Sequence, residues 1–365
     1  MLRSLCLLFF CCFCIFSFCS PHSENIKEIT EQRFVLGHRT ECLVFPGKEW
    51  VKQPAQALCR DAGALEQFVE AVGGSGVIIK NGYLIKTWGN PAGRTMWASA
   101  TKPVLSTLLL FAAQEGRVEI NGKVHPFMPE LLGKDQEITF HHLANMTSGY
   151  ARREWPGKAF SYNDYAVKLY HNTLFDRVFA TSDDPNQIIQ NKNRLGPLQF
   201  QDGDVFEHIQ KRCWCVHTSP RDFARIGWFW LNKGNWNGEQ LLSKSFFDNY
   251  LKNQVPESLP RSIGPARDYL AIGSYGSISG NQTPFGPGNY GMNWWINTGK
   301  RIWPSLPEDT FQANGHWNKE TVTVIPSMAL VVAGVGDFGP FQPGSGPADS
   351  LMGLLTEACG QDLAQ

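Results

Sequence analysis

Residues 99 to 116 read SATKPVLSTLLLFAAQEG, and the fold turns on how this stretch is taken. From Val104 to Ala113 the run is apolar and it stops at Gly116, so it reads as a buried helix with a glycine at its C-terminal end. Pro103 fits only a first turn, where backbone N–H groups lack intrahelical partners, which sets the helix start near Ser99 to Thr101. Ser99 and Lys102 then share one helix face, with about 5 to 6 Å between their Cβ atoms. A hydroxyl and an amine so placed can exchange a proton. A lysine activates a serine when its pKa is depressed, and burial at the positive end of a helix is expected to depress that of Lys102. The Ser-x-x-Lys spacing alone carries little weight, since ordinary residue usage produces about one by chance in a chain of this length. Its setting carries more.

Upstream, VIIKNGYLIKTW (77–88) is two strand-like runs joined by Asn81-Gly82, a pair suited to the positive φ angles of a type I′ hairpin. Downstream, short helices are expected at His141 to Ala144, Tyr165 to Tyr170 and Pro220 to Asn232, the last capped by Ser219. A second hairpin follows, Thr321 to Ile325 and Ala329 to Val335 around Pro326-Ser327, and Asp349 to Ala358 reads as a closing helix. Strands near both ends with helices between them imply one sheet assembled from distant segments. No internal repeat or low-complexity tract interrupts the chain.

In their order the blocks GVIIKNGYLIKTWG, SATKPVLSTLLLFAAQEGRVEINGKV, ITFHHLANMTSGY, PGKAFSYNDYA, SPRDFARIGWFWLNKGNWNGEQLL and NGHWNKETVTVIPSMALVVAGVGD resemble the beta-lactamase-related family, especially its class C and esterase-like branch. The resemblance spans most of the chain. It implies an α/β (α+β) fold of the beta-lactamase/transpeptidase type: an antiparallel sheet flanked by helices, from about 24–95 and 285–365, with a mostly helical lobe inserted over about 96–284. It also implies an active site in the crevice between the lobes.

The resemblance carries roles onto particular residues. Ser99 is the nucleophile and Lys102 its base. Tyr162-Asn163-Asp164, after Pro156-Gly157, matches the family's Tyr-x-Asn or Tyr-x-Asp turn, with Tyr162 as proton shuttle and Asp164 holding Lys102 or the substrate. A phenol whose ordinary pKa is about 10 needs Lys102 and a second cation nearby to serve. An overlapping Ser161-Tyr162-Asn163 leaves Ser161 as the alternative shuttle. The third motif, normally Lys-Thr-Gly or His-x-Gly on the strand lining the crevice, falls at His316-Trp317-Asn318. A histidine there has weaker cationic character near neutral pH than lysine, which argues against tight capture of a carboxylate. Asn318 replaces the glycine and is expected to obstruct the approach of substrate to the strand. The oxyanion hole is assigned to the backbone N–H groups of Ser99 and Lys319.

The function implied is a serine hydrolase working through an acyl-enzyme on small esters or amides, with no cofactor and no metal. A D-alanyl-D-alanine carboxypeptidase or beta-lactamase is the alternative within enzymes, and a catalytically silent binding protein the alternative outside them. His141-His142 invites a metal reading, but adjacent residues on a helix point apart. Trp294 and Trp295 either line an acyl pocket or fill the core.

Composition narrows the classes further. Lys plus Arg and Asp plus Glu each number 33 in 365 residues, so there is no basic footprint for nucleic acid. The first twenty residues carry one charge, Arg3, ahead of an apolar run from Leu5 to Phe18, which is a signal-peptide pattern. The run is shorter than the roughly 20 apolar residues a membrane span needs, so removal and export are favoured over a retained anchor, and Phe18 is too bulky for the small residue expected before a lipidated Cys19. A membrane contact is expected only through that segment if it is uncleaved. Beyond it stand Cys42, Cys59, Cys213, Cys215 and Cys359; five cannot all pair within one chain, and Cys42 with Cys59 is one possibility. Cys213-Trp214-Cys215 lacks a second ligand pair and reads as packed thiols. Sequons occur at Asn145, in a block expected to be buried, and at Asn281.

Overall fold

Asn81 and Gly82 take φ angles of 54° and 87°, the left-handed pair that a type I′ turn requires, and the two runs they join form a hairpin as expected. A methyl group on Gly82 would overlap the carbonyl oxygen of Val44, so the turn needs glycine both for its angle and for this close approach. The structure is a computed structural model that describes residues 31–36, 39–180, 184–209, 213–276 and 285–360. The segment read as a signal peptide, its five cysteines and the Asn281 sequon lie outside the described residues.

In chain order the strands are β1 (Glu31–Leu36), β2 (Arg39–Val44), β3 (Ser75–Lys80), β4 (Tyr83–Trp88), β5 (Thr95–Met96), β6 (Phe206–Ile209), β7 (Cys213–Thr218), β8 (Asn235–Trp236), β9 (Glu239–Gln240), β10 (Tyr290–Gly291), β11 (Trp294–Ile296), β12 (Phe311–Gly315), β13 (Glu320–Ile325) and β14 (Leu330–Val335). The α-helices are α1 (Ala62–Val72), α2 (Lys102–Gln114), α3 (Phe140–Ala144), α4 (Asp164–Asn172), α5 (Pro185–Ile189), α6 (Pro220–Leu231), α7 (Lys244–Tyr250) and α8 (Pro347–Cys359). The main sheet has seven antiparallel strands in the order β10-β11-β12-β13-β14-β3-β4. Its last four strands put the two sequence-predicted hairpins side by side, with Val332 opposite Ile78.

Both faces of this sheet are covered, which is why its strands read as continuous apolar runs. Val77 and Ile79 of β3 with Val331 and Ala333 of β14 face a core shared with α2 and α6. Ile78 and Val332 face the other way, onto Leu65 and Phe68 of α1 and Met352 and Leu355 of α8. Helix α6 therefore lies against the main sheet, not within the inserted helical region to which residues 96–284 were assigned. Gly227 permits that packing: a Cβ there would stand 2.7 Å from Val331 Cγ1 and 2.9 Å from Val322 Cγ1. The inserted region also contains a three-stranded sheet, β5-β7-β6, which sequence patterning did not indicate.

Cys59 is bonded to Cys359 across the α1–α8 contact, with S–S 2.06 Å, and the pairing of Cys59 with Cys42 is corrected accordingly. Those two helices pack together on one face of the sheet, so the fold brings together thiols separated by 300 positions.

Candidate active site

Chain direction changes sharply just before the nucleophile candidate. Ala98 takes φ 44°, a left-handed angle uncommon for alanine, and opens a 3-10 turn over Ala98–Thr101 that runs directly into α2. Trp97 anchors this turn: it is fully buried, its indole N–H donates to the Thr218 carbonyl at 2.9 Å, and its ring meets Phe223 edge-on. Thr101 ties the end of the turn to β7, its hydroxyl accepting the Val216 N–H at 2.9 Å. Ser99 is left half-buried at the start of the helical run, where the first N–H groups have no internal acceptor.

Lys102 lies one turn on and is 1% exposed. Its Nζ donates to Ser99 Oγ at 2.6 Å, stands 3.8 Å from Asp164 Oδ1, and hydrogen-bonds Tyr162. The ammonium also sits over two rings, 4.8 Å from the centroid of Tyr162 and 5.4 Å from that of Tyr275. The structure thus brings Ser99, Lys102, Tyr162 and Asp164 together around one nitrogen.

The charge state differs from the expectation. Burial pulls the Lys102 pKa down, but Tyr162 and the Asp164 carboxylate outweigh it, and the net shift is upward. Lys102 is held as an ammonium, so at rest it is a hydrogen-bond donor to Ser99 and not a free base. Its positive charge instead favours negative charge developing on the phenol oxygen of Tyr162.

Asn163 fixes this tyrosine from the local sequence. Its side chain caps α4 by accepting the Ala166 N–H at 2.8 Å, which places Asp164 at the helix N-terminus, where a carboxylate is favoured. Asn163 Nδ2 also donates to Ser161 Oγ at 3.2 Å, which ties the alternative shuttle into its own turn. Tyr162 is 4% exposed, stacks on Trp295 at 5.9 Å and meets Tyr290 edge-on at 6.1 Å. Trp295 therefore supports the site from beneath. Trp294 does not: it packs against Trp230 in the core.

The third motif is placed differently from its sequence reading. His316, Trp317 and Asn318 are not on a strand but form the turn between β12 and β13, with φ angles of 38°, 56° and 79°. Three consecutive left-handed residues close a four-residue loop between Gly315 and Glu320, which are paired in the ladder. The Lys319 N–H donates to the Gly315 carbonyl at 3.0 Å as part of that closure, so its assignment to the oxyanion hole is not supported. Asn318 does not obstruct the crevice either. Its side chain is fully buried, accepting from Asn314 Nδ2 at 2.7 Å and donating to the Phe338 carbonyl at 3.2 Å.

His316 is exposed on one side and held on the other: Nδ1 lies 3.0 Å from both carboxylate oxygens of Glu320. The Glu320 hydrogen bond raises its pKa, against smaller opposing effects of burial and of Lys102. Any charge on the imidazole is matched by the Glu320 carboxylate, so the pair presents no net positive charge. Weak capture of a carboxylate follows from that neutrality. Trp317 projects from the same turn, 40% exposed, with its ring 6.3 Å from that of Tyr162.

Sequence reasoning missed Tyr275, Glu320 and Cys215. The main chain of Tyr275 donates to the Asp164 carbonyl at 3.0 Å, and the buried Cys215 lies within electrostatic reach of Lys102. Only Glu320 left a signal, its i+4 spacing from His316. His141 and His142 are structural: Nδ1 of His142 accepts the Thr139 N–H at 3.2 Å, and burial lowers its pKa to about 4. Among the described residues no group of three or more His, Cys, Asp or Glu is placed to hold a metal ion.

A two-sided antiparallel sheet with Ser-x-x-Lys at the start of a buried helix, facing a Tyr-x-Asp turn, defines a protein of the beta-lactamase and transpeptidase fold. Residues 62–182 match the family model described as Beta-lactamase. The chain is similar in structure to a beta-lactamase from Mycobacterium bovis, with a TM-score of 0.54 and 18% identity over 80% of this chain and 98% of that one. A penicillin-binding protein homolog from Caulobacter crescentus gives 0.56 and 12% over 85% and 98%, and a family VIII carboxylesterase gives 0.55 and 12% over 84% and 98%. No curated protein matches the sequence. Members of this fold family are hydrolytic and generally work through a serine acyl-enzyme.

Proposed function

We propose that this chain is a serine hydrolase that forms an acyl-enzyme on Ser99 and cleaves small esters in preference to amides. The observation that carries the reading is the 2.6 Å hydrogen bond from the buried Lys102 ammonium to Ser99 Oγ, with Tyr162 bonded to the same nitrogen. Ser99 Oγ attacks the carbonyl carbon as its proton passes to the Tyr162 oxygen and the phenol gives its own hydroxyl proton to the leaving-group oxygen, so that Tyr162 relays one proton and stays neutral beside the Lys102 ammonium. The developing oxyanion is received by the Ser99 N–H at the head of the helical run. The alcohol so formed leaves, and a water molecule attacks the acyl-enzyme with the same relay run in reverse, its proton returning through Tyr162 to Ser99 Oγ as the acid is released. Ester over amide rests on the neutral His316–Glu320 pair and the exposed Trp317 at the crevice, which suit a neutral, ring-bearing group better than a carboxylate. The resemblance to a solved carboxylesterase is consistent with this choice.

Export is part of the same proposal. It rests on the apolar N-terminal run and on the Cys59–Cys359 disulfide, a bond that persists in oxidising compartments.

The test is intact-mass analysis after exposure to a fluorophosphonate and, separately, to penicillin, with Ser99→Ala in parallel. One fluorophosphonate adduct that vanishes in Ser99→Ala, with no penicillin adduct, is the expected result. A stable penicillin adduct on Ser99 would transfer the assignment to the penicillin-binding alternative, and no adduct from either reagent would defeat the hydrolase reading.

A further inference from the structure

Five large apolar side chains are exposed among the described residues, and their distribution is uneven: Leu132, Trp155, Ile263, Tyr269 and Trp317. Trp317 belongs to the active-site turn. The other four lie on three loops, 131–135, 149–155 and 261–269, that are laced together into one surface. The Leu132 N–H donates to the Tyr269 hydroxyl at 3.0 Å, Lys134 Nζ to the Gly149 carbonyl at 2.7 Å, and the Arg267 N–H to the Ala151 carbonyl at 2.8 Å. Arg152 ties the second loop to the third through Ser262 Oγ and the Gly264 carbonyl, both at 2.9 Å.

Between these loops opens a cavity of ≈ 680 Å³ lined by Lys134, Arg152, Arg153 and Arg267 together with Leu132 and Tyr269. The acidic groups nearby are already engaged. Asp135 pairs with Lys134, while Glu154 accepts from Ser262 and Asp268 from the Tyr150 hydroxyl and both keep their charge, so the four cations exceed the three carboxylates by one. Arg153 and Arg267 are exposed, and among the described residues neither guanidinium meets an acceptor. Unmatched positive charge in a cleft selects a phosphate or carboxylate ligand.

We propose that this face docks onto an anionic lipid bilayer, the basic cleft taking a phosphate-bearing headgroup and the loop-tip side chains Leu132, Trp155 and Ile263 entering the boundary between headgroups and acyl chains. Charge complementarity points to an anionic partner, and the apolar tips around the basic cleft distinguish a lipid surface from a soluble anion, which has no apolar phase to receive them. Tyr269 at the rim, with an apolar ring and a polar hydroxyl, suits the interface between the two. The contact is peripheral: no helix among the described residues is long and apolar enough to cross a membrane.

The test is co-sedimentation of the full chain with vesicles of phosphatidylcholine alone and of phosphatidylcholine mixed with phosphatidylserine. Arg153→Gln/Arg267→Gln and Leu132→Ser/Ile263→Ser are compared with the parent, and glycerol phosphate serves as the soluble competitor. The expected result is binding to the mixed vesicles only, weakened roughly thirtyfold by loss of the two arginines and clearly weakened by loss of the two apolar tips. Hydrolysis of a soluble ester should be unchanged in both variants. Equal binding to both vesicle types with no effect of either variant would assign the contact to residues 5–18 and overturn the proposal. Binding lost with the arginines but indifferent to Leu132 and Ile263, or abolished by glycerol phosphate, would overturn it in favour of a soluble-anion site.

Discussion

A single buried ammonium organises the site at the residue scale, so the groups around Lys102 decide what each substitution does. Tyr162→Phe removes the hydroxyl and keeps the ring on Trp295 and Tyr290. Turnover of a soluble ester should fall by about 10²–10⁴-fold with little change in thermal midpoint, as steady-state rates and a melt would show. Glu320→Gln acts on the other cation. Glu320 raises the His316 pKa, so the stability their pairing contributes is fully present below the unfolded-state value of about 6.5 and is lost as pH rises through the higher folded value. The substitution should therefore lower the thermal midpoint at pH 5.5 and scarcely change it at pH 9, and NMR titration should show the His316 pKa falling. Ser99, Lys102, Tyr162 and Asp164 were legible because each occupies a motif whose spacing a helix or a capped turn preserves. The Lys102 charge state was not, since it depends on which side chains from other segments approach the nitrogen.

At the scale of elements, the β12–β13 turn shows where sequence reading stopped. The strand after it was legible, β13 with β14 from their apolar runs, as were β3 and β4 from Asn81-Gly82, but β12 before it was not. The resemblance puts the third motif on a strand, and local preference gives no warning of a turn, since three successive non-glycine residues with positive φ are improbable. The ladder pairing of Gly315 with Glu320 imposes them. Asn318 meets this demand with side-chain hydrogen bonds in place of glycine's freedom. Asn318→Gly should therefore lose stability, even though glycine suits φ 79° better. Relief of the left-handed strain returns about 1 kcal/mol, whereas depriving Asn314 and the Phe338 carbonyl of buried partners costs about 1–3 kcal/mol. A lower urea midpoint with an unchanged m-value would show it, and a higher midpoint would mean that the Asn318 hydrogen bonds contribute less than the strain.

For the whole molecule, the question is what holds the two ends of the chain in one sheet. Strands β3 and β4 come from the first quarter of the sequence and β10 to β14 from the last, so the ladder between β14 and β3 closes a very long loop before any of its contacts can form. That both ends contribute strands was readable from the two hairpin patterns. What joins them was not, because a cysteine pairing follows from the fold and leaves no local mark. Helices α1 and α8 lie together on one face of the sheet, and Cys59–Cys359 links them across 300 positions. A crosslink of that span restricts the unfolded chain far more than the folded one, and its removal should cost about 2–5 kcal/mol. For a molecule of this size that corresponds to a fall of roughly 3–7 °C in thermal midpoint in the Cys59→Ala/Cys359→Ala variant, and a similar fall on reduction of the parent. Neither α1 nor α8 supplies a residue to the Ser99 site, so ester hydrolysis at 25 °C should survive in the variant. Loss of activity with no change in midpoint would instead mean that the disulfide shapes the crevice and does not merely hold the chain ends together.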